Sequence, residues 1–520
     1  MVSAVLFITF FVLLVLNVPI SVCLGLSSAA AILYSGTSLT IVATNIYSGI
    51  SKFLLLAIPF FVLSGNIMAK AGISTRLIRF VDTCVGHRKG GIANVCIIVA
   101  CFFGAISGSG PATVAALGAV LIPAMIERGG FSAAFSTALM ATSSSIAIVI
   151  PPSIAFVVYA SITGVSIGDM FMAGIIPGIL MGLALVVVVM LEVRRNHVVP
   201  SNVEKASAKE RWNAFKDAFW GFLMPVIILG GIYGGIFTPT EAAAVSVVYG
   251  LFVGMIIYKE VKFKDLWEIL IDSAKTTGGI MLIVACASLF SFVCTRFGIS
   301  TAASELLARV AGNQFTFLLI CNIIFLIAGC FIDANSAMYI FIPIMLPVCK
   351  ALGYNVIAFG IMATVNLAIG QVTPPVGVNL FVAIGIKLRD GIRVTLQEIS
   401  RAVVPMVAAS IVVLLIITYI PQISTCLPAA LGSAAAIENG ETAGGDSGTT
   451  QTDNDDFNTI GDYSDLDWAD MTWNFTCSTT ETSTWAQAGR KFGELMEQAT
   501  GGKVKVDVYA ADQLTGGNQS

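Results

Sequence analysis

Apolar runs of roughly 18 residues or more, enough for a helix to cross a bilayer, follow one another from the N-terminus to about Ile420. Gly, Pro, Ser and Thr interrupt them, as membrane helices permit. One water-soluble core has no place for such a series. Composition agrees, since 56% of residues are hydrophobic and 11% charged, which makes lipid the solvent the chain is built for. The opening run Val2 to Leu16 has no basic residue ahead of it and is followed by equally apolar segments, so it reads as a first span and not a secretory signal. Residues 1 to 425 are expected to form an all-α polytopic membrane domain.

Charge gives that domain a direction. Four basic segments, Lys70 to Lys89, Arg194 to Lys216, Lys259 to Lys275 and Lys387 to Arg401, read as loops on the cytoplasmic side, where Lys and Arg are retained. Val2 to Leu16, Val18 to Tyr34 and Phe53 to Ala69 precede the first of them and Val403 to Ile420 follows the last, which leaves both termini outside. Residues 426 to 470 form an acidic Ser/Thr/Gly linker, and no Lys or Arg occurs between Arg401 and Arg490. Nucleic acid is excluded as a partner on that balance. Eleven Cys are scattered through apolar segments without a CxxC pair, and His87 and His197 are the only histidines. Disulfides and a catalytic metal therefore have little material. Beyond the linker, a strand at Met471 to Thr476, a helix at Glu481 to Gln498 carrying Trp485, Phe492, Leu495 and Met496, and a strand at Lys503 to Tyr509 read as one βαβ unit. About 50 residues cannot stand as a whole α/β domain, so residues 471 to 520 are expected to be the beginning of one.

The membrane domain also matches itself. Ala71-Gly72-Ile73-Ser74-Thr75 recurs as Phe297-Gly298-Ile299-Ser300-Thr301, 226 positions on, Pro123 as Pro347 at 224, and Pro151-Pro152 as Pro374-Pro375 at 223. Ordered landmarks in one register mean a duplication, with repeat 1 at about 40–191 and repeat 2 at about 265–420. The first GIST segment is strongly basic and the second is not, and after the double prolines the bias reverses. Matched segments therefore lie on opposite sides, the inverted-topology arrangement of secondary transporters, whose sites form where broken helices of the two halves meet.

Each repeat carries two interruptions. Ser107-Gly108-Ser109-Gly110-Pro111 and Asp333-Ala334-Asn335-Ser336 read as tips of re-entrant hairpins. Glycine allows the sharp turn, and hydroxyl, amide, carboxylate and freed carbonyl oxygens suit Na⁺. Val149 to Ser153 and Gln371 to Asn379 are helix breaks, in which paired prolines remove donors and leave carbonyls needing a ligand. One Na⁺ site per repeat follows: Ser107, Ser109, Ser145 and Pro151 in the first, Gly329, Asp333, Gly370 and Thr373 in the second. Substrate contacts are expected at Ser107, Gly108, Ser109, Gly110, Pro152, Ser153, Asn335, Pro375 and Asn379. Asp333 either coordinates the ion or serves the orphan amides of its own tip. Glu241 suits an N-capping role at least as well as transport. No GxxxxGK[ST] phosphate loop occurs, so ATP does not drive the chain directly. A channel or a membrane scaffold is the competing reading, but channels favour continuous polar stripes. An enzyme lacks both a positioned His and paired carboxylates.

At these residues the sequence resembles the large membrane subunit of TRAP (tripartite ATP-independent periplasmic) transporters, over about residues 1 to 425. The resemblance rests on Ile58 to Gly65, Ser107 to Thr113, Pro151 to Ile154, Pro177-Gly178 and Thr373 to Gly377, in family order. It implies an elevator-type permease of the ion-transporter superfamily kind in the bacterial inner membrane, importing carboxylates such as C4-dicarboxylates or sialic acids together with Na⁺. It also implies two partners, a small four-helix membrane subunit and a periplasmic substrate-binding protein. Residues 485 to 514 look like the beginning of that binding protein, which the chain leaves incomplete. Both termini are then periplasmic.

Overall fold

The computed structural model describes residues 1–16, 18–195, 205–388, 393–432, 471–477, 491–494, 496–497 and 503–510. It divides into two units, Met1–Gly440 and Glu441–Ser520. In the smaller unit β1 (Met471–Cys477) and β2 (Val504–Ala510) pair in parallel, from Met471 opposite Val504 to Cys477 opposite Ala510. Parallel neighbours need a crossover between them. Of the helix expected there, residues 491–494 and 496–497 are helical, while Trp485 and Leu495 lie outside the described residues.

Among its described residues the larger unit has helices and no strand. It opens with α1 (Val2–Val15) and α2 (Ile20–Tyr34). The first copy follows as α3 (Thr40–Ile50), a 3₁₀ turn at Phe53–Leu56, α4 (Ala57–Lys70) and amphipathic α5 (Ile73–Val85). A helical hairpin, α6 (Gly91–Ser107) and α7 (Gly110–Glu127), comes next. The broken helix α8 (Ala133–Ser145) and α9 (Ile154–Thr163) leads into α10 (Ile167–Arg195). Then α11 (Ala208–Tyr233) and α12 (Pro239–Leu251) join the copies. The second copy runs α13 (Asp265–Arg296), α14 (Ile299–Ala311), the hairpin α15 (Gln314–Phe331) and α16 (Ala334–Ala351), the broken helix α17 (Val356–Gly370) and α18 (Val378–Ile384), and α19 (Leu396–Tyr419). Short α20 (Gln422–Ala430) is the last described helix of the unit. Among the described residues nine helical segments are long and apolar enough to cross a membrane.

The copies correspond element by element, with one exception. Where the first begins with α3, a joint near Ser51 and Lys52, and α4, the second has the single unbroken α13. These matched arms lie antiparallel. A β-carbon at Gly49 would lie 2.6 Å from Ser288 Cβ, Asn66 Nδ2 donates to Ser273 Oγ at 2.8 Å, and Lys70 Nζ sits 3.1 Å from Glu268 Oε2. Partners thus fall along α13 as they rise along α3 and α4, the geometry of an inverted repeat. Each arm ends on a glycine with φ of +67° (Gly72) or +69° (Gly298), a left-handed turn that residues with a Cβ rarely adopt.

Three of the four basic segments converge on one end of the unit. Arg76 pairs with Glu260 at 2.5 Å and Arg79 with Asp217 at 3.5 Å, and Arg211 Nε donates to Thr83 O at 3.2 Å. They are helical over much of their length, where the charge pattern reads as loops. Arg76 and Arg79 lie on α5 and Lys209 to Lys216 on α11. Lys275 lies inside α13, because the Lys262 amide donates to Asp265 Oδ2 (2.9 Å) where that helix begins. Capping boxes start α11 (Ser207, Glu210), α12 (Thr238, Glu241) and α19 (Thr395, Glu398). Glu241 is therefore a cap.

At the centre of the packing lie α8 and α17, buried from Phe135 to Ser145 and from Ile357 to Gly370. Hydroxyls and an amide sit among them, with Thr142, Ser143, Ser144, Ser145, Thr364 and Asn366 fully enclosed. The breaks at the ends of these two helices are where the functional residues collect.

Candidate functional site

The first hairpin turns through two residues, Gly108 and Ser109. Gly108 takes φ of +60°, and Ser109 is the extended N-cap of α7, its side chain capping nothing. The base of the hairpin lies at the charged end, where Arg128 pairs with Asp82 at 2.9 Å. Its tip is inside the bundle. A β-carbon at Gly65 would lie 3.2 Å from Ser107 Cα, and one at Gly108 would lie 3.0 Å from Pro152 O. Both strokes of the hairpin thus share one side, as a re-entrant element requires. Ser107 Oγ and Thr113 Oγ1 are 2.8 Å apart, and Thr113 Oγ1 donates to Ser109 O at 2.8 Å. Because Pro111 has no N–H and Ser109 does not reach back, the first amides of α7, at Gly110 and Ala112, keep their donors free. A cavity of about 110 Å³ lies beside this tip, lined in part by Ser107, Ser109, Asn66 and Thr276.

The second hairpin is finished differently. Its turn is Ile332 and Asp333, shorter than the four-residue tip expected from sequence, because Asp333 caps α16 and draws Ala334 to Ser336 into the helix. Asp333 Oδ2 accepts from the amides of Asn335 (3.0 Å) and Ser336 (3.1 Å), and Oδ1 accepts from Ser336 Oγ at 2.5 Å. Of the two roles open to Asp333, the structure shows it serving the amides of its own tip. Among the described residues no hydrogen bond joins it to Thr373.

Each hairpin packs on the broken helix of its own copy through small residues, which let backbones approach closely. A β-carbon at Gly104 would lie 2.6 Å from Ala147 Cα, and one at Gly370 would lie 2.5 Å from the Gly329 carbonyl carbon. The breaks match as well. Pro151-Pro152 and Pro374-Pro375 are both cis. Ser153 Oγ donates to Ile148 O (2.5 Å), a carbonyl that Pro152 leaves without its helical donor, and Thr373 Oγ1 donates to Ile369 O (2.7 Å), which also accepts from the Val372 amide at 3.1 Å. Ser145 Oγ turns back to Thr142 O at 2.8 Å, and Pro151 lines an apolar cleft of about 570 Å³ between α6, α10 and α11.

The copies meet at Gly110. A β-carbon there would stand 2.8 Å from Asn379 Nδ2, 3.0 Å from Asn379 Oδ1 and 2.9 Å from Gln371 Oε1. Asn379 is fully buried. Both of its side-chain polar atoms, together with Gln371 Oε1 and Asn335 Oδ1, lack a hydrogen-bond partner among the described residues. Such orphans inside a close-packed interior are costly unless something outside the chain serves them. The structure therefore brings Ser107 to Gly110 against Pro152 in one direction and Asn379 in another, and Gly329 against Gly370. Sequence reasoning missed Gly104, Ala147 and Gln371 as site residues. Gly104 stands 225 positions before Gly329, within the register of the repeat, and that signal was available.

Two inverted copies, each pairing a re-entrant hairpin with a proline-broken helix, define an all-α polytopic membrane protein of the secondary-transporter class. A family model described as "Tripartite ATP-independent periplasmic transporter, DctM component" matches residues 7–423. The chain belongs to this family of TRAP large permeases. It is 38% identical to the C4-dicarboxylate TRAP transporter large permease protein DctM of Rhodobacter capsulatus, across 81% of this chain and 97% of that one. It is 41% identical to the Pseudomonas aeruginosa protein of the same name, across 79% and 94%. With the sialic acid TRAP transporter large permease protein SiaM of Vibrio cholerae it shares 34%, across 77% and 92%. The YdaH transporter of Alcanivorax borkumensis shares its fold, with a TM-score of 0.53, 15% identity, and 75% and 88% of the two chains covered. Residues 424–520 lie outside the family match, which lends nothing to the reading of the tail as a binding protein.

Proposed function

We propose that the protein is the permease subunit of a Na⁺-coupled, ATP-independent importer of carboxylates across the bacterial inner membrane. The observation that carries this reading is the paired arrangement of hairpin tip and helix break, once in each copy, with hydroxyl and carbonyl oxygens around both. Oxygen sets of that kind suit a hard monovalent cation, and two of them suit two ions. The relatives named for C4-dicarboxylates and sialic acid support a carboxylate cargo. Convergence of the basic segments on one end supports a cytoplasmic end there, with both termini in the periplasm. The hairpins and broken helices then move as an elevator against the α4–α13 pair. A small four-helix membrane subunit and a periplasmic binding protein complete the system. Uptake by the reconstituted complex under a Na⁺ gradient tests the coupling. Transport is expected to collapse when K⁺ or choline replaces Na⁺, and undiminished uptake would overturn the reading.

A further inference from the structure

We infer that the cargo is a hydroxylated acid whose anionic group docks at the tip of the first hairpin while its hydroxyls are read by Gln371 and Asn379. The inference rests on the carboxylate reading above and narrows it.

The anion seat follows from the unequal tips. Two of the first three amides of α16, those of Asn335 and Ser336, donate to the Asp333 carboxylate, and α9 has Ser153 accepting from the Phe156 amide. At the start of α7 no side chain caps the amides of Gly110 and Ala112. The positive end of an 18-residue helix is thus open at tip 1 and closed at tip 2.

The hydroxyl readers follow from the orphaned amides. Gln371 is 6% exposed and Asn379 fully buried, and both crowd the same point on Gly110. Gln371 Oε1 and Asn379 Oδ1 are acceptors without donors, and Asn379 Nδ2 is a donor without an acceptor. A fully ionised, unhydroxylated acid satisfies only the last of these. Na⁺ satisfies only the carbonyls and repels the amide nitrogen. A hydroxyl donates and accepts at once, so one hydroxyl serves a carbonyl and the amide nitrogen together, and a second hydroxyl serves the other carbonyl.

The test is binding to the full-length chain in nanodiscs with Na⁺, by titration calorimetry with matched acids: malate against succinate, lactate against propionate, gluconate against hexanoate. The hydroxylated member of at least one pair is expected to bind about tenfold to a hundredfold tighter than its deoxy partner, because the deoxy acid leaves buried carbonyls unpaired. Gln371→Met and Asn379→Leu should each narrow that ratio by weakening the hydroxylated acid more than its deoxy partner. Equal binding of both members in every pair overturns the inference and leaves the carboxylate reading standing, as does a ratio that neither variant moves. Failure of every acid to bind to folded protein removes the carboxylate reading and the inference with it. Chains that lose their native melting transition are replaced by Gln371→Glu and Asn379→Asp, which keep size and acceptor oxygens and should repel the anion.

Discussion

The two hairpin tips sit at matched positions on matched helices, yet one is closed by its own carboxylate and the other is open. Asp333 folds onto the amides of α16, whereas Ser109 leaves those of α7 alone and the hydroxyls of Ser107 and Thr113 pair beside it. Duplication therefore repeats the backbone and not the chemistry. The closed tip has spent its Asn335 and Ser336 amides on its own carboxylate, and the open one keeps the positive end of α7 uncapped by Ser109. The same contrast holds one layer back, where Gly329 meets Gly370 in the second copy and Gly104 meets Ala147 in the first.

The largest effect is expected at that deeper contact. Gly370→Ala would place a methyl 2.5 Å from the Gly329 carbonyl carbon, and backbone on both sides cannot yield. Overpacking of this kind costs about 1–3 kcal/mol, so the melting temperature should fall and Na⁺-dependent uptake should be lost. Ala147→Gly, the exchange in the opposite sense, should stay within about 1 kcal/mol. Equal melting shifts for the two variants would break the comparison.

Asp333 against Ser109 should separate next. Asp333→Ala is expected to raise the Na⁺ half-saturation of uptake by on the order of tenfold, and Ser109→Ala by less. Asp333→Asn sharpens the result, since an asparagine still caps a helix but carries no charge. Wild-type half-saturation in Asp333→Asn assigns the residue to the cap, and a value like that of Asp333→Ala assigns it to the ion. If neither Asp333→Ala nor Thr373→Ala shifts the half-saturation, the second ion site is elsewhere.

The smallest effect belongs to the breaks, where the copies are most alike. Ser153→Ala removes a hydroxyl donated to Ile148 O and the cap on the Phe156 amide, whereas Thr373→Val removes only a hydroxyl donated to Ile369 O, a loss of about 0.5–1.5 kcal/mol per hydrogen bond. Ser153→Ala should therefore give the larger melting shift. Equal shifts would mean that the cap on α9 adds nothing.

Much of this was legible in the residues. The GIST segments, the prolines and the register placed both hairpins and both breaks, because glycine and proline act locally and leave a mark wherever the backbone turns. The role of Asp333 stayed open, since a carboxylate before a helix has the same letter whether it binds an amide or an ion. Gln371 was passed over because a polar residue beside paired prolines announces no partner, and only the approach of Gly110, 261 positions away in sequence, gives it one. Basic segments read as loops were helices, because charge reports which side a segment lies on and says little about its backbone.

One feature of the arms bears on how such a molecule chooses a side. α13 is unbroken over 32 residues, while its counterpart is jointed near Lys52, whose ammonium donates to Ser161 O at 2.7 Å. Were the two halves identical, exchanging their conformations would turn the molecule over without changing its energy. Facing inward and facing outward would then be degenerate states, and in a symmetric environment neither could be preferred. Any intrinsic preference must therefore be stored in the mismatches: a joint in one arm, a carboxylate on one tip, a methyl at one crossing. In the proposed elevator the free-energy difference between the two states is then the sum of these small broken symmetries, and residues that spoil the likeness between the halves set the resting population.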